Sequence, residues 1–320
     1  MRLVFCGTPQ FAVPSLLHLL KQRDLKVEAV ITQPDRPSGR GREISFSAVK
    51  TAALAASLPV YQPEKIRSPE VYDLLQRLAP DAIVIIAYGQ IIPARLLPVP
   101  TLGWINLHAS LLPRYRGAAP INWAIVNGET QSGLTTMRID AGMDTGDILL
   151  QQKLQIAPNE TAPQLAARLS ESGASLMAKT LRGLASATIV AHQQNHAEAT
   201  HAPILKKEDG RIDWNLTAPE IYNRIRGFDP WPGTFTTFRG HTCHIWGVPV
   251  SNDSARVDIA TIRSALPGTI FQDSANLDVA CGGTTLLRLS AVKVEGRKQV
   301  SAAEFANGAR LTRGERLGNS

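Results

Sequence analysis

The sequence predicts a doubly wound α/β domain with a mostly parallel, Rossmann-like sheet, joined by a linker to a smaller OB-like β-barrel. Three observations support this fold class. Short, continuously apolar runs alternate with helix-like segments through the first half of the 320 residues, as is typical of parallel strands covered by helices on both faces. A long Ala- and Leu-rich helical segment follows. Beyond it, short strand-like runs separated by Gly, Pro and Asp are typical of a small barrel.

The first domain contains six predicted strands and three predicted helices. The apolar runs are at 2–6, 27–31, 81–87, 103–107, 134–139 and 148–154, and the helical patterns are at 11–20, 71–78 and 163–184. The first turn, Gly7-Thr8-Pro9, lacks the GxGxxG pattern of a dinucleotide site. Because ligands bind beyond the carboxyl ends of strands in such sheets, we expect the site at His108 and at the turn after residue 87.

The second domain follows a segment, 187–203, that loses apolar periodicity. A helix is predicted over 218–226, and strands are predicted over 233–238, 244–250, 268–271, 277–281 and 285–292. We therefore expect a domain over 1–189, a linker over 190–207 and a β-barrel domain over 208–320.

Composition and charge indicate the general class of protein and its cellular compartment, but they do not specify its function. The net charge of +7 is spread over both domains and only weakly indicates a polyanionic partner. No run of about 18 apolar residues is present to span a membrane. Three cysteines without CxxC spacing, and a start that enters a strand directly, predict a cytoplasmic protein with no membrane association. No obligate protein partner is indicated.

Three polar residues in one stretch suit a single kind of chemistry. Asn106 and His108 are two apart on a predicted strand, so both side chains point to the same side. An amide can stabilise a developing oxyanion, and an imidazole can do the same or carry a proton. Asp144, between Gly142 and Gly146, can hold the imidazole protonated or take up a proton. No equally placed Ser or Cys nucleophile is present, so direct acyl transfer is indicated.

Each of these residues also has an ordinary structural interpretation. A histidine at a strand end is commonly a satisfied polar residue, and a carboxylate on a turn commonly caps the turn. The next segment, Ser110–Pro113, could form an apolar wall for a flat ligand or a simple strand-to-loop transition. Arg114 and Arg116 could bind an anion or lie on the solvated surface.

A localised basic segment follows the second predicted strand. Arg36, Arg40 and Arg42 alternate there with Pro and Gly, a composition that cannot pack a core. An anionic partner could order this loop, although a disordered basic loop has the same composition. His192, His196 and His201 lack the Glu of a zincin and a nearby Cys pair, so no metal site is predicted.

The chain resembles the folate-dependent formyltransferases nearly from end to end. The matching motifs are FCGTPQFAVPSL, TQPDRPSGRGR, AYGQIIP, INLHASLLPRYRGAAPINWAI, DAGMDTGDIL, KKEDGRIDW, IRGFDPWPGT and ACGGTTLLRL. The central block is highly specific for folate-dependent formyl transfer and less specific for the amine that receives the group.

This resemblance implies roles for particular residues. Asn106, His108 and Asp144 would be catalytic: the first two stabilise the tetrahedral oxyanion, and Asp144 supports proton removal from the attacking amine. The donor would be 10-formyltetrahydrofolate, and no metal would take part. The implied folate contacts are Ser110, Leu111, Leu112, Pro113, Ala87, Tyr88, Gly89 and Gln90.

Within the family, the chain resembles the members that formylate methionine on initiator tRNA. Sugar-nucleotide formyltransferases share the core but are not expected to carry the basic loop. Glycinamide ribonucleotide formyltransferases lack the second domain. The expected tRNA contacts are Arg36, Arg40, Arg42, Lys206, Lys207 and Arg211, and the second domain would bind tRNA. The alternatives are an enzyme that formylates an amino-sugar nucleotide such as UDP-aminoarabinose, and a non-catalytic RNA-binding protein.

Overall fold

The computed structural model describes residues 1–38, 43–251, 257–273, 276–312 and 314–318. These residues divide into two compact units. The first unit consists of Met1–Ile121, Gln131–Ile156 and Gln164–Pro203. The second consists of Asn122–Thr130, Ala157–Pro163 and the chain from Ile204 onward.

The first unit is built on a seven-stranded sheet. Its strands are β1 (Arg2–Gly7), β2 (Lys26–Ile31), β5 (Val60–Tyr61), β6 (Ala82–Ile86), β7 (Trp104–His108), β8 (Gln131–Arg138) and β9 (Ile148–Gln155). They lie in the order β5-β2-β1-β6-β7-β8-β9. Pairs from β5 to β7 are parallel, whereas β7–β8 and β8–β9 are antiparallel. The predicted mostly parallel α/β sheet is therefore confirmed. A separate hairpin pairs β3 (Arg36–Ser38) with β4 (Glu43–Ser45).

The order of the strands marks where a ligand can enter. From β1 the chain proceeds outward to β2 and β5, and then returns to the other side of β1 to form β6 and β7. The connections therefore diverge between β1 and β6, which is the topological switch point of an open α/β sheet. The helices of this part of the chain are α1 (Val13–Leu20), α2 (Ala48–Ala55), α3 (Pro69–Leu78), α4 (Pro120–Val126) and α5 (Ala162–Ala185).

The core of the first unit lies around the central strands. All five residues of β6 are buried, and Val4, Cys6, Ile83 and Trp104 belong to one apolar cluster. Burial raises the pKa of the Cys6 thiol, which stays neutral. The continuous apolar runs that predicted these strands are thus explained by burial on both faces.

Helix α5 packs closely on β7, the strand that carries Asn106 and His108. A Cβ added at Gly173 would lie 2.5 Å from the Cδ2 atom of Leu107, so a side chain there would require the Leu107 side chain to move. Among the described residues, no helix has both the length and the hydropathy needed to cross a bilayer.

The segment that the sequence predicted as a linker is partly built into the first unit. His192 exchanges backbone hydrogen bonds with Ile148, and Arg116 does so with Thr200 and Ala202. Residues 190–203 of the predicted 190–207 linker therefore belong to the first unit, and 204–207 belong to the second. Backbone pairing of this kind leaves no periodic apolar pattern for sequence analysis to detect.

The second unit is a smaller antiparallel β domain, as predicted. Its elements are α6 (Ala218–Gly227), β10 (Phe235–Phe238), β11 (His241–Pro249), α7 (Ile259–Ser264), β12 (Ile270–Gln272), β13 (Leu277–Cys281), β14 (Thr285–Val294), β15 (Val300–Ser301) and α8 (Ala302–Ala309). The sheet has the order β10-β11-β14-β13-β12, and β15 pairs with β14. Trp214, Ile221, Phe238, Val279 and Leu287 contribute to its buried core.

Replacing Ile83 with Ala tests the central position of β6. The Ile83 side chain is 0% exposed, so its removal leaves a cavity between the sheet and its covering helices. We expect the free energy of unfolding to fall by about 2–5 kcal/mol, measured by urea denaturation. Ile91, which is 83% exposed, provides the matched control, and Ile91→Ala should change stability by less than about 0.5 kcal/mol. Equal losses in the two variants would contradict this assignment of the core.

Candidate active site

The candidate site begins at the carboxyl end of β7. Asn106 and His108 share one side of the strand, as their spacing predicted, and the register pairs Asn106 with Ile85 of β6 and His108 with Thr135 of β8. His108 is 6% exposed, and Asn106 is partly exposed. The backbone of β7 is thus fixed by hydrogen bonds on both sides while the Asn106 amide faces partly open space.

The imidazole of His108 lies between two acceptors. Its Nε2 is 2.9 Å from the carbonyl oxygen of Tyr115, and its Nδ1 is 3.6 Å from Oδ2 of Asp144. A carbonyl oxygen only accepts hydrogen bonds, so Nε2 carries a hydrogen and donates it. The remaining nitrogen, Nδ1, faces the Asp144 carboxylate.

Asp144 reaches this position on the β8–β9 connection. Its backbone adopts a φ of +53°, a conformation that non-glycine residues rarely adopt. Its Oδ2 accepts a 2.9 Å hydrogen bond from the backbone N–H of Gly117. Gly117 itself has a φ of +120°, and a Cβ there would lie 2.6 Å from the Ala202 carbonyl oxygen. Only glycine fits, so the turn after Tyr115 is built to present this N–H to the carboxylate.

The predicted folate segment Ser110–Pro113 is fastened to β8 by one hydroxyl group. Oγ1 of Thr135 donates to the Ser110 carbonyl oxygen (2.7 Å) and accepts the N–H of Leu112 (3.1 Å). Nε2 of Gln151 donates to the Leu112 carbonyl oxygen at 2.8 Å. Ser110 and Leu112 are buried, whereas Leu111 and Pro113 are partly exposed. The segment is therefore a fixed turn with two partly open side chains.

The turn after β6 offers its backbone to a ligand. Ala87 (φ +47°) and Gly89 (φ +88°) are exposed and adopt positive φ. Between them, the carbonyl oxygen of Tyr88 accepts from Oγ1 of Thr8 (3.2 Å) and Nε2 of Gln33 (3.1 Å). The carboxyl ends of β1, β2 and β6 are thereby tied together.

The Tyr88 and Gln90 side chains already have contacts within the protein. The Tyr88 ring lies in the apolar core. Oε1 of Gln90 accepts the N–H of Ile66 at 2.7 Å, and its Nε2 donates to the Glu64 carbonyl oxygen at 3.2 Å. Among the four residues expected to contact folate in this turn, exposed atoms are thus concentrated at Ala87 and Gly89.

The residues predicted to contact tRNA are distributed over both units. Arg36 is exposed at the start of the β3–β4 hairpin. Arg40 and Arg42 lie outside the described residues. Lys206, Lys207 and Arg211 are exposed in the second unit.

The β3–β4 hairpin, which carries Arg36, is anchored at its base. The Lys50 ammonium pairs with the Asp35 carboxylate, and this interaction lowers the pKa of Asp35. The Thr32 and Ser47 hydroxyls are 2.8 Å apart and hydrogen-bonded. Arg36 therefore projects from a fixed base beyond the carboxyl end of β2.

Several residues that shape the site were missed by sequence analysis. Thr135 and Gly117 carry no signal beyond their residue type, and Gln194 lies in the predicted linker. Arg116, which the sequence left open as an anion ligand or a surface residue, is 5% exposed and donates to Gln194. No local pattern could reveal these residues because their partners are far away along the chain.

The arrangement suits stabilisation of an oxyanion together with movement of one proton. An amide donor and an imidazole share one strand end, and a carboxylate lies beside the imidazole. Within the described ranges, no group of three or more His, Cys, Asp or Glu side chains could hold a metal ion.

Two family models match the chain. The model described as "Formyl transferase" matches residues 1–181, and the model described as "Formyl transferase, C-terminal domain" matches residues 204–310. Their division falls in the same part of the chain as the boundary between the two compact units at Pro203.

Two full-length relatives carry the same name. Methionyl-tRNA formyltransferase of Solibacter usitatus (strain Ellin6076) is 52% identical over 318 residues, which is 99% of this chain and 99% of the relative. That of Koribacter versatilis (strain Ellin345) is 52% identical over 319 residues, with the same coverage. The crystal structure of WlaRD, a sugar 3N-formyl transferase, in the presence of dTDP and 5-N-formyl-THF has a TM-score of 0.65 and 19% identity. It covers 93% of this chain and 99% of its own, and this likeness shows the fold.

Replacing Tyr88 with Phe tests whether this residue is a core residue. Its buried hydroxyl has no hydrogen-bond partner among the described residues, so its removal should leave stability at pH 7 unchanged or raise it by about 1 kcal/mol. Burial, followed by the nearby Cys6, raises the pKa of this hydroxyl above the usual 10.0.

The sign of the pH dependence follows from that shift. The wild-type hydroxyl must stay protonated in the folded state, so its contribution to stability is fully present below pH 10 and is lost as the pH rises further. Tyr88→Phe should therefore gain about 1 kcal/mol relative to wild type between pH 9 and pH 11. Urea denaturation at the two pH values measures this difference, and a constant difference would contradict the expectation.

Proposed function

Because the chain belongs to the methionyl-tRNA formyltransferase family, we propose that it passes a formyl group from 10-formyltetrahydrofolate to the α-amino group of methionine on initiator tRNA. The observation that carries this proposal is the strand end where His108 lies between the Tyr115 carbonyl oxygen and the Asp144 carboxylate, with Asn106 on the same side. We propose a cytoplasmic location for this reaction.

The amine attacks the formyl carbon directly. A carbon–nitrogen bond to methionine forms, and the carbonyl π electrons move onto oxygen to give a tetrahedral oxyanion. The Asn106 amide donates a hydrogen bond to this oxygen, and the Nε2 hydrogen of His108 is shared between the oxyanion and the Tyr115 carbonyl oxygen. The bond from the formyl carbon to N10 of the folate then breaks, and tetrahydrofolate leaves.

One proton must move during this sequence. The attacking amine becomes positively charged and loses a proton, whereas the departing N10 gains one, so the overall reaction is balanced. The Asp144 carboxylate, 3.6 Å from Nδ1 of His108, accepts the amine proton, either through the imidazole ring or through an intervening water. Such proton transfer typically contributes about 10²–10⁴-fold to the rate.

The donor is bound at the adjoining turns. The exposed backbone at Ala87 and Gly89 supplies hydrogen-bonding groups for the flat pterin ring, and Leu111 and Pro113 supply apolar contacts. These turns flank the carboxyl ends of β6 and β7, so the formyl group would reach Asn106 and His108.

The acceptor requires contacts far from the reacting amine. Exposed cations in both units, at Arg36, Lys206, Lys207 and Arg211, can neutralise phosphates of the tRNA backbone. Arg40 and Arg42 continue the same basic loop in the sequence. The affinity for tRNA should accordingly fall with rising salt concentration.

The acceptor is tested by direct comparison. Labelled 10-formyltetrahydrofolate is incubated with the enzyme and either methionyl initiator tRNA or an amino-sugar nucleotide. We expect label only on the tRNA. Transfer to the sugar nucleotide alone would replace this proposal with sugar formylation, and binding of tRNA without any transfer would indicate a non-catalytic RNA-binding protein.

The catalytic trio is tested by single-turnover transfer in Asn106→Ala, His108→Ala and Asp144→Asn. Each variant should lose about 10²-fold or more in rate because each removes a group that interacts with the transition state. Folate binding, followed by fluorescence titration, should change by less than about 5-fold. A near wild-type rate in any variant would remove that residue from the trio.

The basic loop is tested with a matched pair of arginines. Arg36→Ala should raise KM for tRNA by about 3–10-fold and reduce its salt dependence, since one phosphate contact is lost. Folate affinity should not change. Arg23, which is exposed at the opposite, amino end of β2, is the control, and Arg23→Ala should behave as wild type. Equal effects of the two substitutions would exclude a specific role for the loop.

A further inference from the structure

A buried pair of polar side chains links the turn before Gly117 to the loop of Asp144. Arg116 is 5% exposed and Gln194 is 3% exposed. The guanidinium donates through Nε (3.0 Å) and Nη2 (2.7 Å) to Oε1 of Gln194. Neither residue has a role in the chemistry described above, yet both are buried within the first unit beside the site.

The orientation of the Gln194 amide is fully determined. A guanidinium only donates hydrogen bonds, so the amide oxygen must face Arg116. The amide nitrogen then faces two carbonyl oxygens, and its two hydrogens go to Asp144 (2.8 Å) and Gly146 (2.7 Å). The Gln194 amide therefore has its donors and its acceptor engaged in one arrangement.

The Arg116 side chain is itself held in place. Its Nη1 lies 3.1 Å from Nδ1 of His196, which must accept because Arg116 has no acceptor. The Arg116 backbone donates to the Thr200 carbonyl oxygen at 2.8 Å and accepts from the N–H of Ala202 at 2.7 Å. The backbone and the guanidinium of Arg116 are thus each held by contacts other than those with Gln194.

Asp144 is the residue that depends on this arrangement. Its φ of +53° lies in the left-handed region, which Asp tolerates better than most non-glycine residues but still adopts uncommonly, so the surrounding contacts help to hold it there. Gln194 holds its carbonyl oxygen, and the Gly117 N–H holds its carboxylate. Loss of the Gln194 contacts would release the backbone and allow the carboxylate to move away from His108.

We infer that Gln194, oriented by Arg116, is a positioning residue that holds the Asp144 carboxylate beside His108 during formyl transfer. This inference rests on the proposed catalytic role of Asp144. Gln194 contacts the backbone of Asp144 and not its carboxylate, so its loss displaces that group without removing it. A displacement of about 1 Å is enough to slow a reaction by about 10²-fold.

The test uses Gln194→Glu, which keeps the shape of the side chain and an acceptor for Arg116 but cannot donate to the two carbonyl oxygens. We expect kcat to fall by about 10–100-fold, while KM for folate and for tRNA stays within about 2-fold of wild type. The neighbouring Gln193 is exposed, so Gln193→Glu introduces the same charge change one position away. That control should keep the wild-type kcat.

A double-mutant comparison separates positioning from general stabilisation. If Gln194 acts through Asp144, Gln194→Glu should lower kcat by less than about 2-fold in an Asp144→Asn background. An undiminished effect in that background would overturn the inference and leave the role of Asp144 intact. A wild-type kcat in Asp144→Asn alone would overturn the role of Asp144, and the inference with it.

A second variant covers the case in which Gln194→Glu does not fold, as judged by circular dichroism. Arg116→Lys keeps the positive charge, but an ammonium cannot present the paired N–H groups of the guanidinium. We expect about a 3–30-fold fall in kcat with unchanged KM values and the same loss of effect in the Asp144→Asn background. A wild-type kcat in a folded Arg116→Lys variant would overturn the role of Arg116 in orienting Gln194.

Discussion

The candidate site is organised around the hydrogen bond between the His108 imidazole and the Tyr115 carbonyl oxygen. Nε2 of the ring donates to this oxygen, so the ring has one fixed orientation and Nδ1 must face Asp144. Tyr115 supplies that oxygen from a backbone with a φ of +60°, a conformation that non-glycine residues rarely adopt. The site therefore begins with a constraint on the backbone, and the positions of the charged groups follow from it.

The same constraint explains why so much buried polar structure surrounds one carboxylate. Gly117 must lack a side chain to pass the Ala202 carbonyl oxygen and present its N–H to Asp144. Gln194 must have its amide nitrogen toward the loop to hold the Asp144 carbonyl oxygen. Each contact would be weak alone, but together they fix a strained residue in a partly buried setting, where electrostatic interactions are stronger than in water.

Much of the fold could be predicted because its main elements leave local patterns. β6 is a continuous apolar run, and α5 is a long periodic helix. The helices α2, α4, α7 and α8 and the strands β3, β4, β5 and β15 were missed, since elements of two to eight residues leave little periodicity and depend on their neighbours. The segment 190–203 was predicted as linker because hydrogen bonds of its backbone and of a few polar side chains such as Gln194 hold it to the first unit, and these leave no periodic apolar pattern.

Sequence by itself determined the family, the α/β and β domains and the shared side of Asn106 and His108. Those features depend on local spacing, and alternate residues of a strand always point the same way. Only the tertiary structure decided how Asp144 is held, because Gly117 is 27 residues away from it and Gln194 is 50 residues away. The physical reason is that such contacts form only after distant segments have been brought together by packing and backbone hydrogen bonds, neither of which leaves a local pattern.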